Sequence, residues 1–328
     1  MRISNYEMNS KSETKRHHLF REVLRNKGKT FWFASFFLDR DAARNASILY
    51  AFCRLVDDLA DEGGKDDTEN LNSLAVFFSE LGANPVTAEV RNVRLSGLSD
   101  DDQLVVNEFL GLNLPVAVIQ ILIEGVLGDT QDVLLENTEA VVKYSYSVAG
   151  TVGLLMARVL GTRERNAYFH AIDLGIAMQL TNICRDVLED ATMGRRYIPI
   201  EYDCQKILRV SDGGKRAVSC VIESLLKLAD SYYESGLKGI AYLPRRSRPA
   251  VFLMTILYRE IGNMILKRDL NWWVGRAYVP FSKKVFMTIC ALPRAFRIFC
   301  ESPITDKHRI KHESQLHGPL AGMPGVNE

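Results

Sequence analysis

Two short stretches of this sequence, "YAFCRLVDDLAD" and "QLTNICRDVLED", place polar side chains at a helical repeat among apolar neighbours. A helix turns about 100° per residue, so positions i, i+4, i+7 and i+11 share one narrow stripe. Tyr50, Arg54, Asp57 and Asp61 have that spacing, flanked by Ala51, Phe52, Leu55 and Val56. Gln179, Asn182, Asp186 and Asp190 repeat the design at i, i+3, i+7 and i+11, with Leu180, Ile183 and Val187 between them. Both stretches carry Cys-Arg ahead of the acids, as Cys53-Arg54 and Cys184-Arg185.

Carboxylates one turn apart on each of two facing helices repel one another unless a cation lies between them. Oxygen donors without His or Cys select a hard ion, Mg²⁺ with Mn²⁺ as a substitute, and Mg²⁺ completes its shell with water and phosphate oxygens. Two such helices would clamp a metal-bridged diphosphate. A single D-x-x-x-D is also what a solvated helix face looks like. What points to a site is the recurrence, each time with an Arg or amide on the same stripe and apolar residues on both flanks. A calcium loop is excluded, because residues 57–69 lack the alternating D-x-D-x-D-G spacing.

The elements that must hold these stripes are helical. Apolar residues recur at i, i+3 and i+4 nearly throughout, which predicts an all-α fold with helices over 17–26, 40–62, 69–82, 101–111, 116–128, 137–160, 164–190, 214–240, 248–268 and 282–300. Gly63-Gly64, Asn84-Pro85, Asn113-Leu114-Pro115, Gly194 and Pro199 punctuate that pattern. No linker divides it, so residues 17–301 read as one domain. Residues 1–16 and 302–328 lack periodicity and are expected to be mobile tails.

Composition narrows the function classes. The 328 residues are 47% hydrophobic and 25% charged, as in a globular chain able to bury a core. Net charge is +1, from 41 basic and 40 acidic residues, so no overall field recruits nucleic acid. Six cysteines without a C-x-x-C pair argue against a disulfide framework or a zinc site and fit a reducing, cytoplasmic location. Met1 to Arg16 has no apolar signal region, and 112–123 is too short and too interrupted to span a bilayer.

The stretches "YAFCRLVDDLADE", "YSYSVAGTVG", "LTNICRDVLEDATMGRRYIP", "YREIG" and "GRAYVP" give the chain a resemblance to the squalene/phytoene synthase family over about residues 27–300. The resemblance implies an isoprenoid-synthase helical bundle around a central cavity, with Mg²⁺ held by Asp57 and Asp61 on one side and by Asn182, Asp186 and Asp190 on the other. It makes Lys29, Thr30, Arg54, Arg185 and Arg276 diphosphate contacts. Tyr50, Tyr144, Gln179, Tyr258 and again Arg54 become the residues around the reacting atoms. The chemistry agrees, since ionising an allylic C–O bond requires a neutralised leaving group and a dry, aromatic-lined cavity for the cation.

Several supporting residues keep a second reading. Tyr144 and Tyr146 also fit as helix-packing aromatics, Gly150 and Gly153 as close-contact glycines, Lys29 as a surface lysine and Arg195-Arg196 as a solvated loop. Where the family usually places Ser-x-Ser before Phe, this chain has Gly28-Lys29-Thr30-Phe31, and "YSY" replaces the frequent Tyr-Cys-Tyr.

The expected product is phytoene, formed from two geranylgeranyl diphosphates through prephytoene diphosphate as the first step of carotenoid biosynthesis, with no NADPH. The alternatives are a presqualene diphosphate, squalene or dehydrosqualene synthase using farnesyl diphosphate, and a non-catalytic helical partner of the same fold. A membrane-anchoring C-terminal helix like that of a eukaryotic squalene synthase is not expected. Ala149, Gly150, Gly153 and Ala177 are expected to border the far end of a prenyl tunnel. So hydrophobic a product implies peripheral contact with the inner face of the membrane and a downstream desaturase partner.

Overall fold

The computed structural model of the chain describes residues 20–61, 64–302, 304 and 310–326, without the side chains of Lys29 and Thr30. The expected 1–16 tail lies outside the described residues. After a helical stretch over 20–27 come α1 (Lys29–Ser35), α2 (Arg40–Asp61), α3 (Lys65–Ala83), α4 (Ala88–Leu95), α5 (Asp100–Leu110) and α6 (Val116–Gly128). They are followed by α7 (Thr138–Val159), α8 (Arg165–Thr192), α9 (Cys204–Leu208), α10 (Asp212–Gly239), α11 (Arg248–Lys267) and α12 (Phe281–Cys300). The all-α expectation is met: among the described residues the only extended pairing is an isolated bridge between Leu134 and Arg196.

Periodicity located the long helices, whereas short ones depend on caps. Helices α4 and α9 fell outside the expected set, yet each starts on an N-cap side chain, Thr87 accepting from the Val90 N–H and Asp203 from that of Lys206. Such a cap satisfies an orphan donor and holds a helix too short to show an apolar period.

Helix α8 is the axis of the bundle. It is buried on nearly every face, packs most extensively on α10, and also meets α7, α9 and α11. Its approach to α7 depends on glycine. A Cβ on Gly153 would run into the Ala171 carbonyl, and one on Gly175 into that of Ala149. At this crossing α7 is not the continuous α-helix expected, because Tyr146–Gly150 forms a π-helical turn. The extra residue per turn sends Val148 and Ala149 towards the central cavity while Tyr146 faces away from it.

Residues 310–326, expected to belong to a mobile tail, are docked on the bundle instead. Ser314–Leu320 forms a 3₁₀ segment that buries His317 and Leu320. Asp173, wholly buried on α8, accepts from His312 Nε2 at 2.8 Å and His317 Nε2 at 2.9 Å. Tyr146 Oη donates to the Pro324 carbonyl at 2.6 Å and Tyr232 Oη to that of Leu316 at 2.7 Å. The anchoring combines these hydrogen bonds with core burial of Leu320 and Val326, isolated contacts that form no apolar repeat in the sequence.

Helices α7 and α11 are long and apolar enough to cross a membrane, with half or nearly half of the relevant window buried in the bundle. The sequence reading expected no span. Both helices line the central cavity, which accounts for their apolar composition.

Candidate active site

A cavity of about 260 Å³ runs between α2, α7, α8, α10 and α11. Its polar end takes Tyr50 and Asp57 from the first stripe, Gln179 and Asn182 from the second, and Tyr258 from α11. From there the walls are apolar down to Met156, Leu160, Ala167 and Leu243. His170 lies along this wall, where burial lowers its pKa to about 4 and keeps it uncharged at neutral pH.

The aromatic end is an ordered cluster. Phe31 of α1 has its ring centroid 5.6 Å from that of Tyr50 and 6.3 Å from that of Tyr258. Tyr258 Oη donates to Asn182 Oδ1 at 3.2 Å, and Asn182 Nδ2 donates to Gln179 Oε1 at 3.2 Å. The chain entering α1 closes tightly on this cluster, since a Cβ on Gly28 would sit 2.6 Å from the Tyr50 ring. That contact gives a physical reason for glycine where the family usually has serine. Burial raises the Tyr50 hydroxyl to about 12, so it stays protonated.

The acids converge beside this end. Burial first, then Asp61, Asp129 and Asp58, push the Asp57 carboxyl up to about 7, against the opposing charge of Arg54. Burial first, then Asp186, Glu189 and Asp129, push Asp190 up to about 8. Asp61 is ion-paired with Arg195 at 2.8 Å. Asp186 is held by Arg185 Nη2 at 2.6 Å and by Arg276 Nε at 2.9 Å, and Arg276 also reaches Glu189 at 3.4 Å.

Several expected residues stand elsewhere. Arg54 does not line the cavity; it pairs with Asp58 on the flank of α2, which Lys27 also approaches at 3.9 Å. Tyr144 is not in the cavity wall either. Its hydroxyl donates to Asp129 at 2.8 Å and its ring stacks on Tyr197 at 4.6 Å. The backbone of Lys29 and Thr30 lies in α1, and their side chains fall outside the described residues. Ala149 and Gly153 line the cavity whereas Gly150 and Ala177 do not, and Gly153 is pinned by the α7–α8 crossing.

Two residues at the acid cluster, Asp129 and Tyr197, were missed, and Arg195 joins them there. Asp129 accepts from Tyr144 and Tyr197, both at 2.8 Å, while burial holds its carboxyl above the usual range. It is the C-cap of α6, where the helix dipole already disfavours negative charge, and an acid in that position was the available signal. Tyr197 completes the clamp on Asp129. Arg195 reaches Asp61, so the Arg195-Arg196 loop is not simply solvated; buried Arg196 donates to the carbonyls of Tyr202 at 2.7 Å and Leu135 at 3.1 Å.

A hard divalent cation suits this donor set. Asp57, Asp61, Asp129, Asp186, Asp190 and Asn182 offer oxygens, and Asp57, Asp129 and Asp190 have raised carboxyls, by burial first and then by the charge of neighbouring acids. The residues that would hold it are Asp57 and Asp61 on α2 and Asn182, Asp186 and Asp190 on α8.

The family model described as squalene/phytoene synthase matches residues 24–283. A phytoene synthase from Pseudescherichia vulneris is 30% identical over 286 residues, covering 84% of this chain and 91% of that one. A 15-cis-phytoene synthase from a Paracoccus species is 36% identical over 236 residues, covering 67% and 72%. Among solved structures, a dehydrosqualene synthase superposes with a TM-score of 0.71 at 24% identity, covering 88% of this chain and 99% of that one, which is a likeness of fold. Matched over most of its length by the family model and by relatives at 30% identity or more, the chain belongs to the squalene/phytoene synthase family and is a prenyltransferase.

Proposed function

We propose that the protein joins two geranylgeranyl diphosphates head to head, through a cyclopropylcarbinyl diphosphate, to give phytoene, with Mg²⁺ and without a reductant. The observation that carries this reading is the shared cavity: Asp57 and Asn182 stand at one end of a space whose other end is Leu160 and Leu243. Ionisation needs charge, and the prenyl chains need a dry apolar sleeve, in one continuous volume. The choice of phytoene rests on likeness to the phytoene synthases named above.

Bound Mg²⁺ would neutralise the departing diphosphate. The chain's own residues do the rest. Arg185 and Arg276, both engaged at Asp186, would bind phosphate oxygens beside the acids. Tyr258, Asn182 and Gln179 form a hydrogen-bonded row that orients the reacting end of the substrate. The clustered rings of Phe31, Tyr50 and Tyr258 would stabilise carbocations and exclude water. A cytoplasmic location and hand-over to a desaturase complete the proposal.

The test is incubation of purified protein with geranylgeranyl or farnesyl diphosphate, with Mg²⁺ or EDTA and with or without NADPH, followed by identification of the hydrocarbon. Phytoene from geranylgeranyl diphosphate with Mg²⁺ alone is expected. Faster use of farnesyl diphosphate, giving squalene only with NADPH, overturns the product assignment.

A further inference from the structure

Helix α12 carries its large side chains on the wrong side for a bundle helix. Towards the bundle it buries only Thr288, Ala291 and Ala295. Outward it presents Phe281 (77% exposed), Phe296 (69%), Phe286 (66%), Ile289 (59%), Leu292 and Phe299. At about 100° per residue these six fall within one stripe roughly 140° wide. Phe36, also exposed, extends the surface, for its neighbour Phe37 packs beside Ala291 and Ala295. An apolar patch this continuous is a binding surface in a folded protein.

Charge identifies the occupant. Helix α12 contains Lys283, Lys284, Arg294 and Arg297 and no acid. Lys283 is engaged by Glu260, and Arg297, although 3.8 Å from Glu301, leaves 83% of its side chain exposed. Arg294 lies 5.1 Å over the Phe252 ring. Arg245 and Arg246 are exposed at the end of the helix, where neighbouring Arg248 donates to the Glu301 carbonyl at 3.0 Å. A wide phenylalanine stripe rimmed by arginines matches the boundary between anionic headgroups and acyl chains.

We infer that the outer face of α12, with Phe36, docks the protein on an anionic lipid surface. The helix lies flat on that surface without crossing it, and Arg294, Arg297, Arg245 and Arg246 meet the headgroups. Helix α12 packs on α11, whose Val251, Met254 and Tyr258 line the cavity. Docking therefore brings the cavity wall close to lipid, the only phase that accepts a long hydrocarbon. The surface itself carries this inference, which holds whichever hydrocarbon the enzyme makes.

The test is flotation of substrate-free protein with vesicles of phosphatidylcholine alone or with about one third phosphatidylglycerol. Expected are binding to the anionic vesicles that weakens with salt, and a loss of at least tenfold in Phe286→Ser/Phe296→Ser and in Arg294→Gln/Arg297→Gln. Both variants should keep wild-type turnover in detergent, showing that the fold and cavity are intact. No binding by wild type to either vesicle, or equal binding by the variants, overturns the inference. So does a wild-type dimer in sedimentation that the phenylalanine variant converts to monomer without any vesicle binding, because the stripe would then face a second copy.

Discussion

Replacing Asp190 by Asn should make the metal-free protein more stable while abolishing most turnover. Burial and the neighbouring Asp186, Glu189 and Asp129 raise the Asp190 carboxyl from an ordinary 3.8 to about 8. Each unit is about 1.36 kcal/mol, so an ionised Asp190 costs the folded state at most roughly 5–6 kcal/mol once the pH exceeds 8. Movement of Arg195 and entry of water reduce this ceiling, and we expect about 1–3 kcal/mol to be realised. For a chain of this size that corresponds to a rise in Tm of about 2–8 °C.

The sign with pH is specific. Below about pH 4 the carboxyl is neutral in both folded and unfolded states, so wild type and Asp190→Asn should melt together. As pH rises from 4 to 8 the unfolded chain ionises and the folded one resists, so wild type loses stability and the gap opens. The assay is thermal melting in EDTA at fixed scan rate across pH 4–9, repeated with Mg²⁺. Saturating Mg²⁺ should raise the wild-type Tm and leave the variant nearly unmoved. Turnover should fall by two or three orders of magnitude, the loss of an ionisation interaction of about 3–4 kcal/mol. A variant less stable than wild type at pH 8 in EDTA, a gap flat with pH, or near wild-type turnover would refute the assignment.

Other consequences are open to simpler measurements. Ala157, in the apolar wall of the cavity, can be enlarged: Ala157→Leu should shift the preference from geranylgeranyl to farnesyl diphosphate by about 5- to 150-fold, since overpacking costs typically 1–3 kcal/mol. Gly153→Leu should instead lower Tm without selecting a chain length, because its side chain meets the Ala171 carbonyl; retained stability with a shifted preference would contradict that. Gly28→Ser should lower turnover rather than restore a family hydroxyl, as its Cβ meets the Tyr50 ring, and an unchanged rate would show that α1 can yield. Burial alone would raise the Asp173 carboxyl, but the hydrogen bonds from His312 and His317 outweigh it and hold it below the usual range. Its stabilisation is therefore complete above about pH 4 and lost as the pH falls below that, which release of the C-terminal segment to protease in acid should reveal.

The division between what the sequence disclosed and what it hid follows the range of the interactions. Helix α8 was legible because its pattern persists over 28 residues. The two stripes were legible because their acids interrupt apolar flanks at the helical period. Helix α1, the π-turn in α7 and the docked segment at 310–326 were not, since each is decided by partners distant in sequence. Tyr146 reaches Pro324 and Asp173 reaches His317, contacts that leave no local trace.

The same reasoning separates the residues around the acids. Asp57 and Asp61 on α2, and Asn182, Asp186 and Asp190 on α8, keep a common direction along each stripe because a helix fixes relative direction within itself. Arg54 shares the stripe of Asp57, but a long side chain is free to choose its partner, and adjacent Asp58 offers an ion pair on the flank. Tyr144 makes the corresponding choice of Asp129 over the cavity. Asp129 thereby becomes the point where α6, α7 and the loop after α8 meet, through Tyr144 and Tyr197. Its charge also raises both Asp57 and Asp190, which stand on different helices. Asp129 therefore couples the two stripes electrostatically, and Asp129→Asn should lower the apparent pKa of both carboxyls together, whereas a purely structural Asp129 would move neither.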